Sequence, residues 1–360
     1  MIVNKLQEVI KNEKIDALLL TGLENPVAAK NLQYITNYSG SYGFSIIGEN
    51  FKYFVSDFRY RQQAKNEAPE FTFVEIDGSL IDALNSIVKK EKIKLLGFDQ
   101  KIRYSEFSMY QDLDCELIPT RNLVESLRVS KTKDEVKLIK KACEITDQAL
   151  TYVLDFVKPG VKERDLEILL KNKMIELGAD STWPRFIVAS GERGSMPHGM
   201  ASDKLLKEGE LVTFDIGCFY KGYSSDMTRT VAIGEIDTQL KQIYDIVLEA
   251  QKRGVQAAIA GITGKELDSV CRDYISGAGY GEYFKHGTGH GLGLDVHESP
   301  RVSQANDKPL ELGACVTIEP GIYISGLGGV RIEDDVILTE DGCIVLNEFP
   351  KELITLKHYL

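Results

Sequence analysis

Residues 211–234 read LVTFDIGCFYKGYSSDMTRTVAIG and contain two β-type runs on either side of the segment YKG at 220–222. Its glycine can supply the positive φ that a tight turn often needs, so the stretch predicts a β-hairpin. If the strands pair symmetrically about the Tyr220–Lys221 bond, Asp215 and Asp226 stand directly opposite each other. The Cβ atoms of directly opposed residues are about 4.5–5.5 Å apart, and like charges at that distance are destabilising.

The stretch VTIEPGIYISGLGGVRIEDDVIL at 316–338 repeats this arrangement with glutamates. Its glycines mark a second loop, and Glu319 and Glu333 are symmetric about residue 326. A second acidic pair is therefore expected to face itself across a second hairpin. Two such pairs in one domain are unfavourable unless a cation offsets the repulsion, and a divalent metal ion does this most directly. The two hairpins together predict a metal site.

The histidines narrow the prediction, because His290 and His297 lie in one glycine-rich segment, HGTGHGLGLDVHE at 286–298. Their odd spacing places them on opposite faces of a flat strand, so a bulge or bend is needed if both reach one site. Four carboxylates and one imidazole suit Mn²⁺, Co²⁺ or Fe²⁺, and Zn²⁺ also fits. Five ligands hold two ions only if some carboxylates bridge them, and two ions about 3.5–4 Å apart share and activate a water.

The composition argues against several classes of protein. A chain of 360 residues, 43% apolar and 27% charged, favours two domains. The net charge of -11, without a basic cluster interleaved with aromatics, argues against nucleic acid. The first segment has no apolar signal region, and no stretch approaches the roughly 20 apolar residues of a membrane span. We therefore expect a cytoplasmic protein without membrane association.

The six cysteines show no C-x-x-C spacing, which argues against a zinc ribbon or a disulfide framework.

The pattern along the chain predicts two domains of different class, with a boundary near residue 125. Residues 1–125 alternate helical and strand patterns, which predicts a small α/β domain. Its expected strands lie in DALLLTG, GFSIIG, FKYFVS, FTFVEI, IKLLGFD and CELIP. Residues 126–360 begin with two helical patterns and then become strand-rich, with helices near 238–260 and 264–278. This predicts an α+β domain with a mostly antiparallel sheet.

The motifs TFDIG, SDMTRT, HGTGHGLG, VHE, IEPGIY and VRIED together resemble those of the pita-bread metallopeptidase superfamily, in its prolidase and aminopeptidase P branch. The resemblance covers essentially the whole chain. It implies an α+β protein with a C-terminal pita-bread catalytic domain at 126–360, preceded by a smaller α/β creatinase-like N-terminal domain at 1–125. It also implies a homodimer and two divalent metal ions, for which we expect Mn²⁺ before Co²⁺, Fe²⁺ or Zn²⁺.

The same resemblance implies a role for each expected metal ligand. Asp215 resembles a terminal ligand, and Asp226 and Glu333 resemble bridging ligands. His290 resembles the imidazole ligand of one ion. Glu319 resembles the ligand that also accepts the proton of the bridging water.

The resemblance extends to residues that contact the substrate. His198, in SMPHG, resembles the histidine near the scissile bond, and His297 resembles the residue that hydrogen-bonds the substrate carbonyl and the developing oxyanion. Arg301 stands where some prolidases carry an arginine near the substrate carboxylate, although a surface arginine is an equal alternative. Arg331 either lines the pocket or neutralises the acidic cluster, and we favour neutralisation slightly. His286 matches no family ligand and is expected in the wall or behind the ligands.

We therefore expect a peptidase in which a metal-bridging hydroxide attacks the carbonyl before proline in small peptides. Two forms stay open: an Xaa-Pro dipeptidase, or prolidase, and an Xaa-Pro aminopeptidase that acts on longer peptides. Arg301 favours the dipeptidase slightly. Two alternatives from other classes are a non-catalytic binding module that keeps the fold and a metal-free creatinase-like hydrolase. The complete set of metal-competent side chains argues against both.

Overall fold

The computed structural model of the chain describes residues 2–23 and 26–357. The chain divides into two compact units, Met1–Arg128 and Val129–Leu360. The α-helices are Ile2–Asn12 (α1), Pro26–Thr36 (α2), Arg61–Glu67 (α3), Leu80–Glu91 (α4), Tyr104–Tyr110 (α5), Leu123–Leu127 (α6), Lys133–Leu154 (α7), Glu163–Glu176 (α8), Thr238–Ala257 (α9) and Gly264–Gly277 (α10).

The strands of the first unit are Ala17–Thr21 (β1), Phe44–Gly48 (β2), Phe51–Ser56 (β3), Thr72–Glu75 (β4), Leu95–Asp99 (β5) and Glu116–Thr120 (β6). Those of the second unit are Ser181–Thr182 (β7), Ile187–Ser190 (β8), Leu211–Ile216 (β9), Cys218–Tyr220 (β10), Tyr223–Ser224 (β11), Met227–Ile233 (β12), Gly289–Gly291 (β13), Glu298–Val302 (β14), Cys315–Ile318 (β15), Gly321–Ile324 (β16), Gly328–Arg331 (β17), Asp334–Leu338 (β18), Cys343–Val345 (β19) and Thr355–Leu356 (β20). None of the helices in the described ranges is long and apolar enough to cross a membrane.

The first unit is built on one six-stranded sheet, and each of the six predicted strand segments forms a strand in it. The strand order is β4-β3-β2-β1-β5-β6, with β1 antiparallel to β2 and parallel to β5. All residues of β1 are buried, because alternate side chains enter two cores. Leu18 and Leu20 share a core with Leu6 of α1, whereas Leu19 shares a core with Leu84 of α4. Burial on both faces explains the continuous apolar run of this strand.

The second unit pairs helices with mostly antiparallel sheets, as predicted. The strand orders are β11-β10-β7, β20-β12-β9-β8, β14-β13-β15-β18-β19 and β16-β17, and β12 runs parallel only to β20. One core joins α7 and α8 to β8, β9 and β12, and a second core joins α9 and α10 to β15, β17 and β18. Helices α7 and α10 each begin at a capping box, formed by Thr132 with Glu135 and by Thr263 with Glu266.

The glutamate hairpin has the register that the sequence predicted. Gly321 pairs with Arg331 and Ile318 pairs with Asp334, so pairing on both sides of the glutamates is symmetric about residue 326. Glu319 and Glu333 therefore stand at equivalent positions of neighbouring segments.

The predicted register of the aspartate hairpin was wrong. Tyr220 pairs with Tyr223, and Asp215 pairs with Thr228 rather than with Asp226. The turn residues are Lys221 and Gly222, both with positive φ, at 47° and 83°. A two-residue turn with positive φ at both positions matches the twist of a hairpin, and it moves the centre one residue further along the chain. Asp226 is thus displaced by two residues from the position opposite Asp215.

Candidate active site

Most of the expected metal ligands lie where strands end or are interrupted. Asp215 is within β9, whereas Asp226 precedes β12, Glu319 lies between β15 and β16, and Glu333 lies between β17 and β18. Carboxylates are poor strand formers, and a break in the ladder lets the side chain leave the regular alternation. The ligands come from segments far apart in sequence, and strand pairing such as that of β15 with β18 brings the breaks beside Glu319 and Glu333 together.

A β-bulge brings the two predicted site histidines of segment 286–298 together. The pairing of β13 with β14 shifts between His290 and Gly291. The ring centroids of His290 and His297 are 4.3 Å apart. The bulge that their odd spacing required is therefore confirmed.

Four of the five expected ligands surround one point. Ligand atoms of Asp226, His290 and Glu333 all lie within 4.8 Å of one another, a grouping that could hold a metal ion. The Nε2 atom of His290 is 3.6 Å from Asp226 Oδ2 and 3.5 Å from Glu319 Oε1. Three carboxylates and an imidazole thus meet in a buried space, which is the donor set that hard or borderline divalent cations require.

The electrostatics of this cluster call for positive charge. Burial, together with the neighbouring carboxylates, raises the pKa of Asp226 and of Glu333 well above the ordinary range. Burial raises the pKa of Glu319 to about 8, although Arg331 acts in the opposite direction. Among the described residues, Asp226 Oδ1 and Glu333 Oε1 are buried and have no hydrogen-bond partner. Buried acceptors in this state are costly, so the residues present fit a site for divalent metal.

His290 is prepared to act as a neutral ligand. Burial lowers its pKa to about 3, so the ring stays uncharged at neutral pH. Its Nδ1 lies 3.1 Å from the carbonyl oxygen of Gly291, which can only accept, so Nδ1 carries the proton and donates it. The lone pair of Nε2 is then directed at the carboxylates. This arrangement fixes both the tautomer and the orientation that a metal-binding histidine needs.

Asp215 differs from the other carboxylates because it forms an ion pair with Arg331. Arg331 Nη2 donates to Asp215 Oδ2 at 2.5 Å, Nη1 donates to the Tyr323 hydroxyl at 2.8 Å, and Nε donates to Thr228 Oγ1 at 3.1 Å. Burial acts to lower the pKa of Arg331, but Tyr323 and the carboxylates raise it further, so the guanidinium stays charged. Thr228 in turn donates to Glu333 Oε2 at 2.6 Å. Arg331 therefore both faces the pocket and neutralises the acidic cluster.

All nine predicted site residues line one cavity of about 1230 Å³. They are His198, Asp215, Asp226, His290, His297, Arg301, Glu319, Arg331 and Glu333. The wall also includes apolar side chains, among them Trp183, Ile187 and Met200. Apolar walls with a few convergent polar groups are typical of sites for small molecules.

Sequence reasoning missed several residues that support the site. Tyr323, in the IEPGIY motif, lies between Arg331 and His286, whose Nε2 is 2.9 Å from the Tyr323 hydroxyl. Asp335 is buried behind the ligands and accepts the Asp226 backbone N–H at 2.8 Å. The sequence shows a tyrosine within a motif and two consecutive acids, Asp334 and Asp335. It does not show what these side chains contact, because their partners lie on other segments of the chain.

Two family models match this chain. Residues 137–340 match metallopeptidase family M24, and residues 3–130 match the creatinase/prolidase N-terminal domain. An Xaa-Pro dipeptidase of Pyrococcus horikoshii is 40% identical over 359 residues, which are 98% of this chain and 98% of the relative.

Solved structures show the same likeness. An Xaa-Pro dipeptidase from Bacillus anthracis has a TM-score of 0.95 and 45% identity, with 99% of each chain covered. The X-Pro aminopeptidase from Thermotoga maritima MSB8 has a TM-score of 0.90 and 38% identity, covering 97% of this chain and 100% of its own. Similarity at this level extends over both units of the chain.

Proposed function

Because this chain belongs to metallopeptidase family M24, we propose that it is a metal-dependent Xaa-Pro dipeptidase. The observation that carries the proposal is the cluster of Asp226, His290, Glu319 and Glu333 beside a cavity large enough for a peptide. In this cluster, Asp226 Oδ1 and Glu333 Oε1 are buried without a hydrogen-bond partner among the residues that the structure describes. The similar Xaa-Pro dipeptidases of Pyrococcus horikoshii and Bacillus anthracis support the choice of substrate class.

The proposed ligands of two divalent ions are Asp215, Asp226, His290, Glu319 and Glu333. Such ions supply Lewis-acid polarisation of the scissile carbonyl and a nucleophilic water at neutral pH. We propose Mn²⁺ as the ion, with Co²⁺, Fe²⁺ and Zn²⁺ as alternatives, because the donor set is rich in oxygen and contains one imidazole.

The remaining polar groups have roles that follow from their chemistry. Glu319 is proposed to accept a proton at its carboxylate. Burial raises its pKa to about 8 in metal-free protein, so the carboxylate becomes available at neutral pH only when bound cations displace the proton that it holds. Burial lowers the pKa of His297, so a neutral imidazole can donate a hydrogen bond to the carbonyl oxygen as negative charge develops. His198 lies on the cavity wall and is proposed to contact the substrate near the scissile bond.

Arg301 favours the dipeptidase over the aminopeptidase. It stands opposite His290 in the β13–β14 pair and lines the cavity. A dipeptide presents a free carboxylate next to the scissile bond, and a guanidinium is a suitable bidentate partner for it. The Xaa-Pro aminopeptidase is the second candidate, because the cavity of about 1230 Å³ has room beyond a dipeptide and the Thermotoga maritima structure is an X-Pro aminopeptidase.

Three further features belong to the same proposal. We propose that residues 1–125 form the creatinase-like domain and residues 126–360 the catalytic domain, which the family matches support. A homodimer is the family expectation. A cytoplasmic location is proposed because all six cysteines are free thiols, which suits a reducing compartment.

The first test is hydrolysis of Ala-Pro and Ala-Pro-Ala by chelator-stripped protein, before and after addition of Mn²⁺. We expect turnover of Ala-Pro that needs the metal and disappears in Asp226→Asn. The matched control is Asp245→Asn, which removes an exposed carboxylate that pairs with Lys241 on α9. No turnover with Mn²⁺, Co²⁺ or Zn²⁺ would overturn the peptidase proposal.

A second comparison separates dipeptidase from aminopeptidase. Arg301→Met should raise the KM for Ala-Pro by roughly tenfold or more and leave the KM for Ala-Pro amide unchanged, because only the free acid offers a carboxylate. Equal effects on the acid and the amide would remove Arg301 from carboxylate recognition. Preference for Ala-Pro-Ala over Ala-Pro would favour the aminopeptidase.

A further inference from the structure

The segment that carries His198 is held at both ends by one buried carboxylate. We call residues 191–201 the His198 loop; it joins Ser190, the last residue of β8, to Ser202. Glu163, the first residue of α8, is fully buried. Its Oε1 accepts the backbone N–H of Ser190 at 2.8 Å and the hydroxyl of Ser190 at 2.9 Å. Its Oε2 accepts the backbone N–H of Ser202 at 3.1 Å and the hydroxyl of Ser202 at 2.7 Å.

A cation completes this arrangement and reaches across the loop. Arg193 Nη1 pairs with Glu163 Oε2, and Arg193 Nη2 donates to the carbonyl oxygen of Met200 at 2.8 Å. The guanidinium therefore ties the carboxylate to a residue two positions from His198. A planar guanidinium with donors in a fixed fork can hold both partners at once, whereas an ammonium cannot do so with the same geometry.

The loop between these ties is closed by its own backbone. Met196 N–H donates to Arg193 O at 3.0 Å, Gly199 N–H donates to Met196 O at 2.9 Å, and Met200 N–H donates to His198 O at 2.8 Å. The side chain of His198 itself is exposed and faces the cavity. An exposed side chain is not placed by packing around it, so the backbone that carries it must set its position.

We propose that Glu163 and Arg193 are positioning residues that hold His198 at the substrate. The proposal rests on the proposed peptidase function, in which His198 contacts the substrate. Neither Glu163 nor Arg193 is itself one of the residues that line the cavity. Glu163 fixes where the loop begins and ends, and Arg193 fixes the half of the loop next to His198. Displacement of a positioned group by about 1 Å can lower a rate by roughly a hundredfold, even when the change lies away from the chemistry.

The direct test is a double-mutant cycle between Arg193 and His198, measured as kcat/KM for Ala-Pro with the Mn²⁺-loaded full chain. Arg193→Met leaves Glu163 its four hydrogen bonds from Ser190 and Ser202, so the fold is expected to persist. We expect it to lower kcat/KM by roughly tenfold to a hundredfold in the wild-type background. In the His198→Ala background the same change should cost about twofold or less, because the group that it positions is gone.

A merely structural role predicts a different outcome. Loss of the same factor in both backgrounds would overturn the proposal, as would no loss in either. Asp147→Asn is the matched control, since Asp147 is also a buried carboxylate and accepts the backbone N–H of Glu348. We expect its effect on kcat/KM to be the same with and without His198.

Hydrogen–deuterium exchange tests the positioning role of Glu163 and Arg193 independently of peptidase activity. Arg193→Met should accelerate exchange at the amides of Gly199 and Met200, and Glu163→Gln should do so at Ser202 as well, whereas Asp147→Asn should leave the His198 loop unchanged. Unchanged exchange in both loop variants would overturn the positioning role. If the wild-type chain fails to hydrolyse Ala-Pro, the peptidase proposal fails, while faster exchange in the loop variants still shows that Glu163 and Arg193 hold the loop.

Discussion

Glu319→Gln in metal-free protein should change how stability depends on pH. Burial raises the pKa of the Glu319 carboxyl from its ordinary 4.5 to about 8. The folded chain therefore keeps a proton that the unfolded chain has already released. The stabilisation that the bound proton gives to the folded state is fully present below pH 4.5 and is lost as the pH rises toward 8. Glutamine does not titrate, so the variant lacks this dependence.

The magnitude follows from the interval between the two pKa values. One proton changes the free energy of unfolding by about 1.4 kcal/mol per pH unit in that interval. From about pH 5.5 to about pH 7.5, wild-type protein should lose about 2–3 kcal/mol more than Glu319→Gln. For a unit of this size that difference in stability corresponds to a difference of roughly 4–12 °C in the shift of Tm. Adding Mn²⁺ should reverse the trend, because the metal competes with protons for the same oxygens.

The assay is urea unfolding of chelator-treated protein, followed by the fluorescence of Trp183, the one tryptophan in the chain. Asp334→Asn is the control: burial acts to raise the pKa of Asp334, but Arg229 and Lys351 outweigh it and lower the pKa. The ionised Asp334 carboxylate therefore stabilises the fold at every pH above 3.8. Asp334→Asn should be less stable than wild-type protein by a constant amount between about pH 5.5 and about pH 7.5. Parallel pH profiles for wild-type and Glu319→Gln would refute the reasoning.

Three other substitutions test the surroundings of the site. Lys131 Nζ lies 2.8 Å from Glu298 Oε1, and both side chains are buried. Lys131→Met should reduce the free energy of unfolding in urea titration by about 3–5 kcal/mol, because it removes the buried positive charge that pairs with the Glu298 carboxylate. Adding Glu298→Leu to this variant should recover part of the loss. No recovery would argue against the ion pair as the cause. Gly217→Ala would place a Cβ 2.2 Å from Ser225 O and 2.5 Å from the Trp183 ring. We expect a loss of about 1–3 kcal/mol in the free energy of unfolding and altered tryptophan fluorescence, and unchanged values would contradict the close approach. Arg331→Met should lower kcat/KM for Ala-Pro by roughly tenfold to a hundredfold, because the charge and the hydrogen bonds that hold Asp215 and Tyr323 are lost. The control is Arg253→Met, which removes a surface pair with Glu249 and should have little effect on kcat/KM.

Local sequence patterns located most of the fold. The six strand segments of the first unit and helices α9 and α10 lie where periodicity placed them. These segments have strong signals, because a strand buried on both faces is apolar throughout and an amphipathic helix repeats its apolar residues at helical spacing. Where a short turn decided the outcome, the signal was weaker. The pairing of Asp215 depended on which residues form the turn, and Lys221 at positive φ is not a residue that composition would select.

The sequence predicted some, but not all, of the contacts that bring the site residues together. The bulge at His290 followed from an odd spacing and a glycine-rich segment, and it is present. The register of Glu319 with Glu333 followed from their symmetry about residue 326 in a loop marked by glycines, and it is also as expected. The Arg331–Asp215 ion pair could not be derived in this way, because the two residues are 116 positions apart and no local pattern relates them.

The sequence by itself determined which residue types carry the chemistry. Paired carboxylates in hairpins with glycine-containing turns, and a histidine-rich segment, can be recognised from residue type and spacing alone. Only the tertiary structure decided which of them share a buried space, what holds each in place and how their charges interact. Glu163 illustrates the reason, since its sequence neighbourhood resembles any helix start, and its five hydrogen-bond donors come from residues 27 to 39 positions away. Spacing along the chain encodes local geometry, whereas the burial that raises the pKa values of Asp226 and Glu333 exists only after distant strands have packed together.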